Sequence, residues 1–374
     1  MKRCIYVLMV LLATPCSICM EITANLTLDQ KIGQLTLHQK IGQLFMVAAV
    51  ANEEVAQDFM DKKPYRLDKE YITQLITDYH IGGIVYLGKS DFKKQQTRTW
   101  YYQSKSSIPL LIGQDLEPGR VGRSRLQEMR NFLDNEQLGQ LNNSKLTYDT
   151  SREIGLLCKV MGVHINFAPV ADVYTNPNNS VIKDRSFGDN RETVAKHAAI
   201  FAYGLKEVGI IACAKHFPGH GDTDVDSHDD LPKIVHDKDR LHEIELYPFK
   251  QLISQDIPMI MVGHLEVPAF EPQEKLPSSL SKNIVTKLLR QELGFKGLII
   301  TDSLHMYGVT KYFKPGEYEL YALLAGNDIL LCPFNVPAAV TAIKEAIKQE
   351  RITEQEIDEH VARIMHVKKL AGLW

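Results

Sequence analysis

Short, nearly continuous apolar runs recur along the chain and alternate with longer stretches whose apolar residues return at helical spacing. The runs cover residues 45–50, 83–87, 110–115, 164–170, 210–216, 259–264, 298–302 and 329–332. Runs this short, without a polar alternate position, suit parallel strands covered on both faces. Helical stretches lie between them, among them residues 239–254, 282–293 and 338–349, and residues 353–370 read as a closing helix. Eight strands alternating with helices predict a single-domain (β/α)8 TIM barrel. A doubly wound open sheet shows the same alternation but calls for a glycine-rich phosphate loop after an early strand, and no GxGxxG follows one. One tandem copy stands out: residues 26–34 (LTLDQKIGQ) are followed at once by residues 35–43 (LTLHQKIGQ). The second copy runs directly into the first strand, so it takes the native place and the first lengthens the entry segment.

The start of the chain departs from this pattern. Lys2 and Arg3 precede an apolar run over residues 5–13, well below the roughly 18 residues of a membrane-spanning helix. A charged start and a short apolar run predict a secretory signal peptide over residues 1–20, leaving residues 21–374 as a mature chain without an integral membrane span. The corresponding location is the periplasm or cell envelope, with the cytoplasm as the alternative. Of six cysteines only Cys158, Cys213 and Cys332 lie outside this segment, an odd number without metal-type spacing. Cys213 and Cys332 sit inside apolar runs and read as small buried hydrophobes.

Composition narrows the class of partner. A 44% hydrophobic, 24% charged chain can bury a large core, and a net charge of -3 with dispersed Lys and Arg leaves no footprint for nucleic acid. The expected partner is a small molecule, and the chain is read as a monomer.

In a barrel of this kind, reactive groups gather at the C-terminal ends of the strands. Those ends carry Asp115, Asp172, Lys215 with His216, His264 and Asp302. The densest stretch is KHFPGHGDTDVDSH, residues 215–228, a glycine-containing loop with three histidines at and beyond its first turn. Asp226 lies two residues from His228, close enough to bond one imidazole nitrogen and leave the other to move a proton. His216, His220, Asp222 and His228 are also possible metal ligands, so a metal-dependent hydrolase stands beside the acid/base reading. Asp302 ends an apolar run; it suits a nucleophile facing a pocket and equally the cap of a following helix.

The loop KHFPGHGDTDVDSH resembles the signature loop of glycoside hydrolase family 3, in its β-N-acetylhexosaminidase branch. Further stretches match in the same order: KIGQLFMV, GQDLEPGRVGR, FAPVADV, DRSFG, PSSLS, GFKGLIITDSLHM and AGNDILL. The resemblance implies Asp302 as nucleophile, Asp226 and His228 as an acid/base dyad, and Asp115, Arg123, Arg185, Lys215 and His216 around the terminal sugar. It implies no metal and no cofactor. Two departures are visible: Pro118 stands where a second glycine is usual, and Tyr174 replaces the usual Asn after Asp172 and Val173. The implied activity is release of a terminal N-acetylhexosamine with retention, with GlcNAc-anhydroMurNAc and its peptides as a fitting muropeptide substrate class. Transfer to phosphate and a catalytically retired carbohydrate-binding barrel are the alternatives.

Overall fold

The computed structural model describes residues 27–51, 66–89, 91–121, 129–224 and 230–373. The proposed signal segment, Arg123, Asp226 and His228 lie outside the described residues.

Eight parallel strands form the centre: β1 Phe45–Ala49, β2 Gly83–Tyr86, β3 Leu111–Gln114, β4 Ile165–Asn166, β5 Ile211–Phe217, β6 Met259–Val262, β7 Leu298–Thr301 and β8 Leu330–Leu331. Each is buried along its whole length, as expected of strands covered on both faces. Neighbours pair in the order β7-β6-β5-β4-β3-β2-β1-β8. A parallel bridge from Ile300 to Ile329, with Thr301 N donating to Ile329 O at 3.1 Å, brings β8 back to β7 and closes the barrel. The predicted TIM barrel is therefore the observed fold.

Helices pack outside. The two nine-residue copies each form one capped helical unit, α1 Leu28–Gly33 and α2 Leu37–Gln43. Thr27 and Thr36 accept from the backbone N–H of Gln30 and Gln39, whose side chains return to the caps. These reciprocal bonds satisfy N–H groups that a helix start otherwise leaves bare. Their burial differs: Gly33 is exposed, whereas Gly42 is buried where its Cβ would stand 1.9 Å from the Tyr79 carbonyl oxygen.

The outer ring continues with α3 Lys69–Tyr79, α4 Phe92–Lys105, α5 Asn135–Leu141, α6 Ser144–Met161 and α7 Arg191–Glu207. The stretch predicted as one helix over 239–254 is two, α8 Lys238–Glu243 and α9 Tyr247–Ser254. Pro248 sits in the first turn of α9; a proline fits there because that turn's N–H groups have no intrahelical partner, whereas in an interior turn it breaks the ladder. Next come α10 Asn283–Glu292, wound with i to i+5 spacing, α11 Tyr307–Thr310, α12 Glu317–Ala325, α13 Val336–Lys348 and α14 Glu354–Leu370. On the barrel floor, the buried Lys368 of α14 donates to Gln43 Oε1 at 2.5 Å and to Pro109 O at 2.6 Å. It ties the closing helix to the entry segment. Among the described residues no helix is long and apolar enough to cross a membrane.

Candidate active site

The mouth of the barrel is built from the residues just past β3, β4, β5 and β7. After β3, Asp115 and Glu117 lie two apart in an extended segment. Asn166 of β4 clips that segment in place: its side chain accepts from Leu116 N at 2.9 Å and donates to Leu116 O at 3.1 Å. Arg120 N donates to Glu117 O at 3.1 Å, with Pro118 and a positive φ of 75° at Gly119 between them. Proline second and a left-handed glycine third are what a type II turn requires. Pro118 thus replaces a glycine with a residue that fixes the turn beside Glu117.

Lys215 and His216 are consecutive in β5, where side chains ordinarily face opposite ways. The β5–β6 register shifts between Ala214 and Phe217, and irregularities of this kind re-aim side chains. Both residues join the same cluster. Lys215 Nζ donates to Asp115 Oδ1 at 2.6 Å and pairs with Glu117 Oε1 at 2.7 Å. Arg185, at the end of the short turn Lys183–Arg185, donates through Nε to Glu117 Oε2 at 2.9 Å and through Nη2 to Glu117 Oε1 at 2.8 Å. The planar fork read as a sugar contact is thus turned, on this edge, to a carboxylate. Bidentate pairs of this type are short and directional.

Asp172 is fully buried. It accepts from His216 N at 3.1 Å, from His220 N at 2.7 Å, and at Oδ2 from His216 Nδ1 at 2.7 Å. Arg185 Nη2 stands 3.3 Å from His216 Nε2; since a guanidinium only donates, Nε2 accepts and the ring proton belongs on Nδ1. Asp172 therefore holds the backbone and imidazole of His216 in β5 and the backbone of the loop that follows it. Gly221 of that loop passes so near that a Cβ would meet Val173 O at 1.9 Å.

The electrostatics follow from this pairing. Burial alone would raise the Glu117 carboxyl, but Arg185 and Lys215 hold it well below the usual carboxylate range. Burial works against the Lys215 ammonium, and Asp115 and Glu117 outweigh it, so its pKa is raised. Asp172 is likewise lowered against its burial by His216 and His220. His220 goes the other way, to about 4, through burial and the neighbouring His216.

Asp302 follows β7 directly, and its backbone N–H donates to Val262 O at 2.8 Å. The next helix, α11, is capped at Met306, so Asp302 is not its cap. Ser303 N donates to Asp302 Oδ1 at 2.7 Å, and Ser303 O meets the buried His264 Nε2 at 3.0 Å. The thiols of Cys213 and Cys332, raised chiefly by burial, are pushed further by the charges of both Asp115 and Asp302. Both carboxylates thus act on the same two points of the barrel interior. Of the other metal-ligand candidates, His220 Nδ1 bonds Thr223 Oγ1 at 2.8 Å, and Asp222 bonds Thr175 Oγ1 at 2.8 Å and pairs with His236. Among the described residues no group of three or more His, Cys, Asp or Glu side chains is placed to hold a metal ion.

The family model described as the glycosyl hydrolase family 3 N terminal domain matches residues 27–367. The chain belongs to glycoside hydrolase family 3. The beta-hexosaminidase A of Pseudoalteromonas piscicida is 32% identical over 326 residues, covering 79% of this chain and 54% of that protein. A beta-hexosaminidase of Mycobacterium tuberculosis is 33% identical over 306 residues, covering 79% of this chain and 77% of its own length. The chain thus spans about half of the first relative and three quarters of the second. Among solved structures, a family 3 beta-N-acetylglucosaminidase from Paenibacillus sp. str. FPU-7 superposes with a TM-score of 0.80 at 34% identity, covering 91% of this chain and 63% of that one.

Of the residues that the sequence singled out, the structure brings Asp115, Arg185, Lys215 and His216 into one bonded cluster, with Asp302 at the end of β7, two strands from β5. The cluster also contains Glu117 and Asp172. Asp172 stood among the strand-end candidates without a role, and Glu117 was not singled out. The available signal was position: Glu117 is two residues beyond Asp115 in a segment leaving a strand end, the spacing that keeps two side chains on one side.

Proposed function

We propose that the chain is a retaining exo-β-N-acetylglucosaminidase. It removes the terminal non-reducing N-acetylhexosamine from small glycans, with muropeptides of the GlcNAc-anhydroMurNAc type as its substrate class. The observation that carries this reading is the mouth itself: a strand-end carboxylate, Asp302, at the same end of a family 3 barrel as a buried cluster of paired carboxylates and cations. The names borne by the similar proteins point to the same sugar.

In this reading Asp115, Lys215, Arg185 and His216, together with Arg123, surround the terminal sugar, where charged donors and acceptors meet its hydroxyls. Asp302 attacks the anomeric carbon while His228, held by Asp226, protonates the departing oxygen. Water then displaces Asp302 with His228 as base, and two inversions give retention. An imidazole suits both proton roles because its ordinary pKa lies near neutrality. The steps call for no cofactor.

Turnover of 4-nitrophenyl β-N-acetylglucosaminide, followed by product analysis on a muropeptide with and without phosphate, tests the proposal. Free N-acetylglucosamine released first as the β-anomer is expected in both conditions. A sugar 1-phosphate would instead assign phosphorolysis, and no turnover would leave a carbohydrate-binding barrel.

A further inference from the structure

Glu117 is a buried carboxylate, 3% exposed, with no step of the proposed reaction assigned to it. It is nevertheless bonded to Lys215 and Arg185. Its Oε1 is shared by Arg185 Nη2 at 2.8 Å and Lys215 Nζ at 2.7 Å, while Oε2 takes Arg185 Nε at 2.9 Å. Arg120 Nε adds a weaker contact at 3.7 Å. The carboxylate is itself fixed, by the Asn166 clip on one side and the Pro118–Gly119 turn on the other.

We infer that Glu117 is a positioning residue that sets the directions in which Lys215 and Arg185 present their remaining N–H groups to the hydroxyls of the terminal sugar. The inference rests on the glycosidase reading above. Its physical content is pre-organisation. A lysine ammonium rotates about a flexible stem, and a guanidinium slides within its plane, unless an anion fixes both. Glu117 takes one N–H of Lys215 and two of Arg185, Asp115 takes a second of Lys215, and His216 Nε2 and Val181 O take one each of Arg185, so the direction of the one N–H left on each cation is determined before the sugar arrives. Hydroxyl recognition by such fixed donors is where a site discriminates most strongly, since an analogue lacking the hydroxyl leaves a buried donor unpaired.

The test compares kcat/KM for 4-nitrophenyl β-N-acetylglucosaminide and its 3-, 4- and 6-deoxy analogues in the wild type, Glu117→Gln and Glu117→Asp. The wild type should lose on the order of 10- to 100-fold on at least one deoxy analogue, the effect of a missing partner for a charged donor. Glu117→Gln keeps the shape but loses the charge and one acceptor, so that penalty should shrink to a few-fold while the parent substrate slows. Glu117→Asp keeps the charge and should restore part of the discrimination. If Glu117→Gln does not fold, as calorimetry will tell, Glu117→Asp carries the test: its deoxy penalty should fall measurably below the wild type's. A purely structural role would slow every substrate by one common factor. Equal deoxy penalties in the wild type and the folded variants therefore overturn the inference and leave the enzyme reading intact. Wild-type protein that turns over no β-N-acetylglucosaminide overturns that reading and the inference with it.

Discussion

Gly33 and Gly42 occupy the same place in the two nine-residue copies, each preceded by Lys-Ile and followed by Gln, yet alanine should act on them in opposite senses. At Gly33 no atom lies within 4 Å of an added Cβ. The residue is exposed at the end of α1, so alanine gains about 0.5–1 kcal/mol by restricting the unfolded chain and favouring the helix. At Gly42 the added Cβ would stand 1.9 Å from Tyr79 O and 2.8 Å from His80 O, both backbone atoms. Relief requires α2 to retreat by more than about 1 Å, and overpacking of this kind costs about 1–3 kcal/mol. The retreat would also disturb Gly82 N, which donates to Gly42 O at 3.1 Å, and the Lys368 bond to Gln43. With an unfolding entropy of about 2 cal/mol/K per residue, a domain of this length changes Tm by roughly 1.5 °C per kcal/mol. Differential scanning calorimetry should show Gly33→Ala up by about 1 °C and Gly42→Ala down by about 1.5–4 °C. Shifts of the same sign and size in both variants would refute the reasoning, because it assigns the native place to the second copy alone.

Three further outcomes follow from the proposed reaction and from the pairing of Glu117. Asp302→Ala should nearly abolish turnover without loss of fold, and azide should restore part of it with an inverted product; near-normal activity would exclude Asp302 as nucleophile. His228→Ala should slow poor leaving groups far more than activated aryl glycosides, a gap of about 10²–10⁴-fold, and Asp226→Asn should act the same way. Equal losses on both substrate classes would count against a proton-carrying role. Acid stability should depend on Glu117 because its folded pKa lies below the ordinary value of 4.5. Its stabilisation is therefore full above about pH 4.5 and is lost as pH falls toward the folded value. Tm measured against pH should drop less steeply below 4.5 in Glu117→Gln than in the wild type; parallel curves would contradict the linkage.

The barrel was legible because strands buried on both faces must be apolar at every position, a pattern few other elements share. The strand ends were not, since the ladder stops before the apolar run does. The run over 164–170 yields only Ile165–Asn166 as strand; at its end Asn166 gives its side chain to Leu116, and beyond it Val170 bridges to Lys215 instead. The i to i+5 winding of α10 was equally hidden, because ten residues of amphipathic pattern do not separate it from an ordinary helix. In the site, Asp115, Lys215 and His216 were found as strand ends and Arg185 through a motif, and their pairing was not. Sequence names a cation near a sugar; it does not say that a carboxylate from another strand end already occupies two of the five donors of Arg185 and one of the three of Lys215. Glu117 escaped because an acid between Leu116 and Pro118 has nothing in its neighbours that marks it as buried.

The Lys368 tie carries a consequence for how the molecule can be mounted. The entry turns lead into the N-terminal end of β1, and the closing helix packs against them at the same end of the barrel. Both termini of the described barrel therefore emerge on the pole opposite the mouth. A leader, tag, surface linkage or additional domain joined at either end attaches at the back of the barrel. Held in that way, the protein would present its mouth outward, with approach from the strand C-terminal side left open.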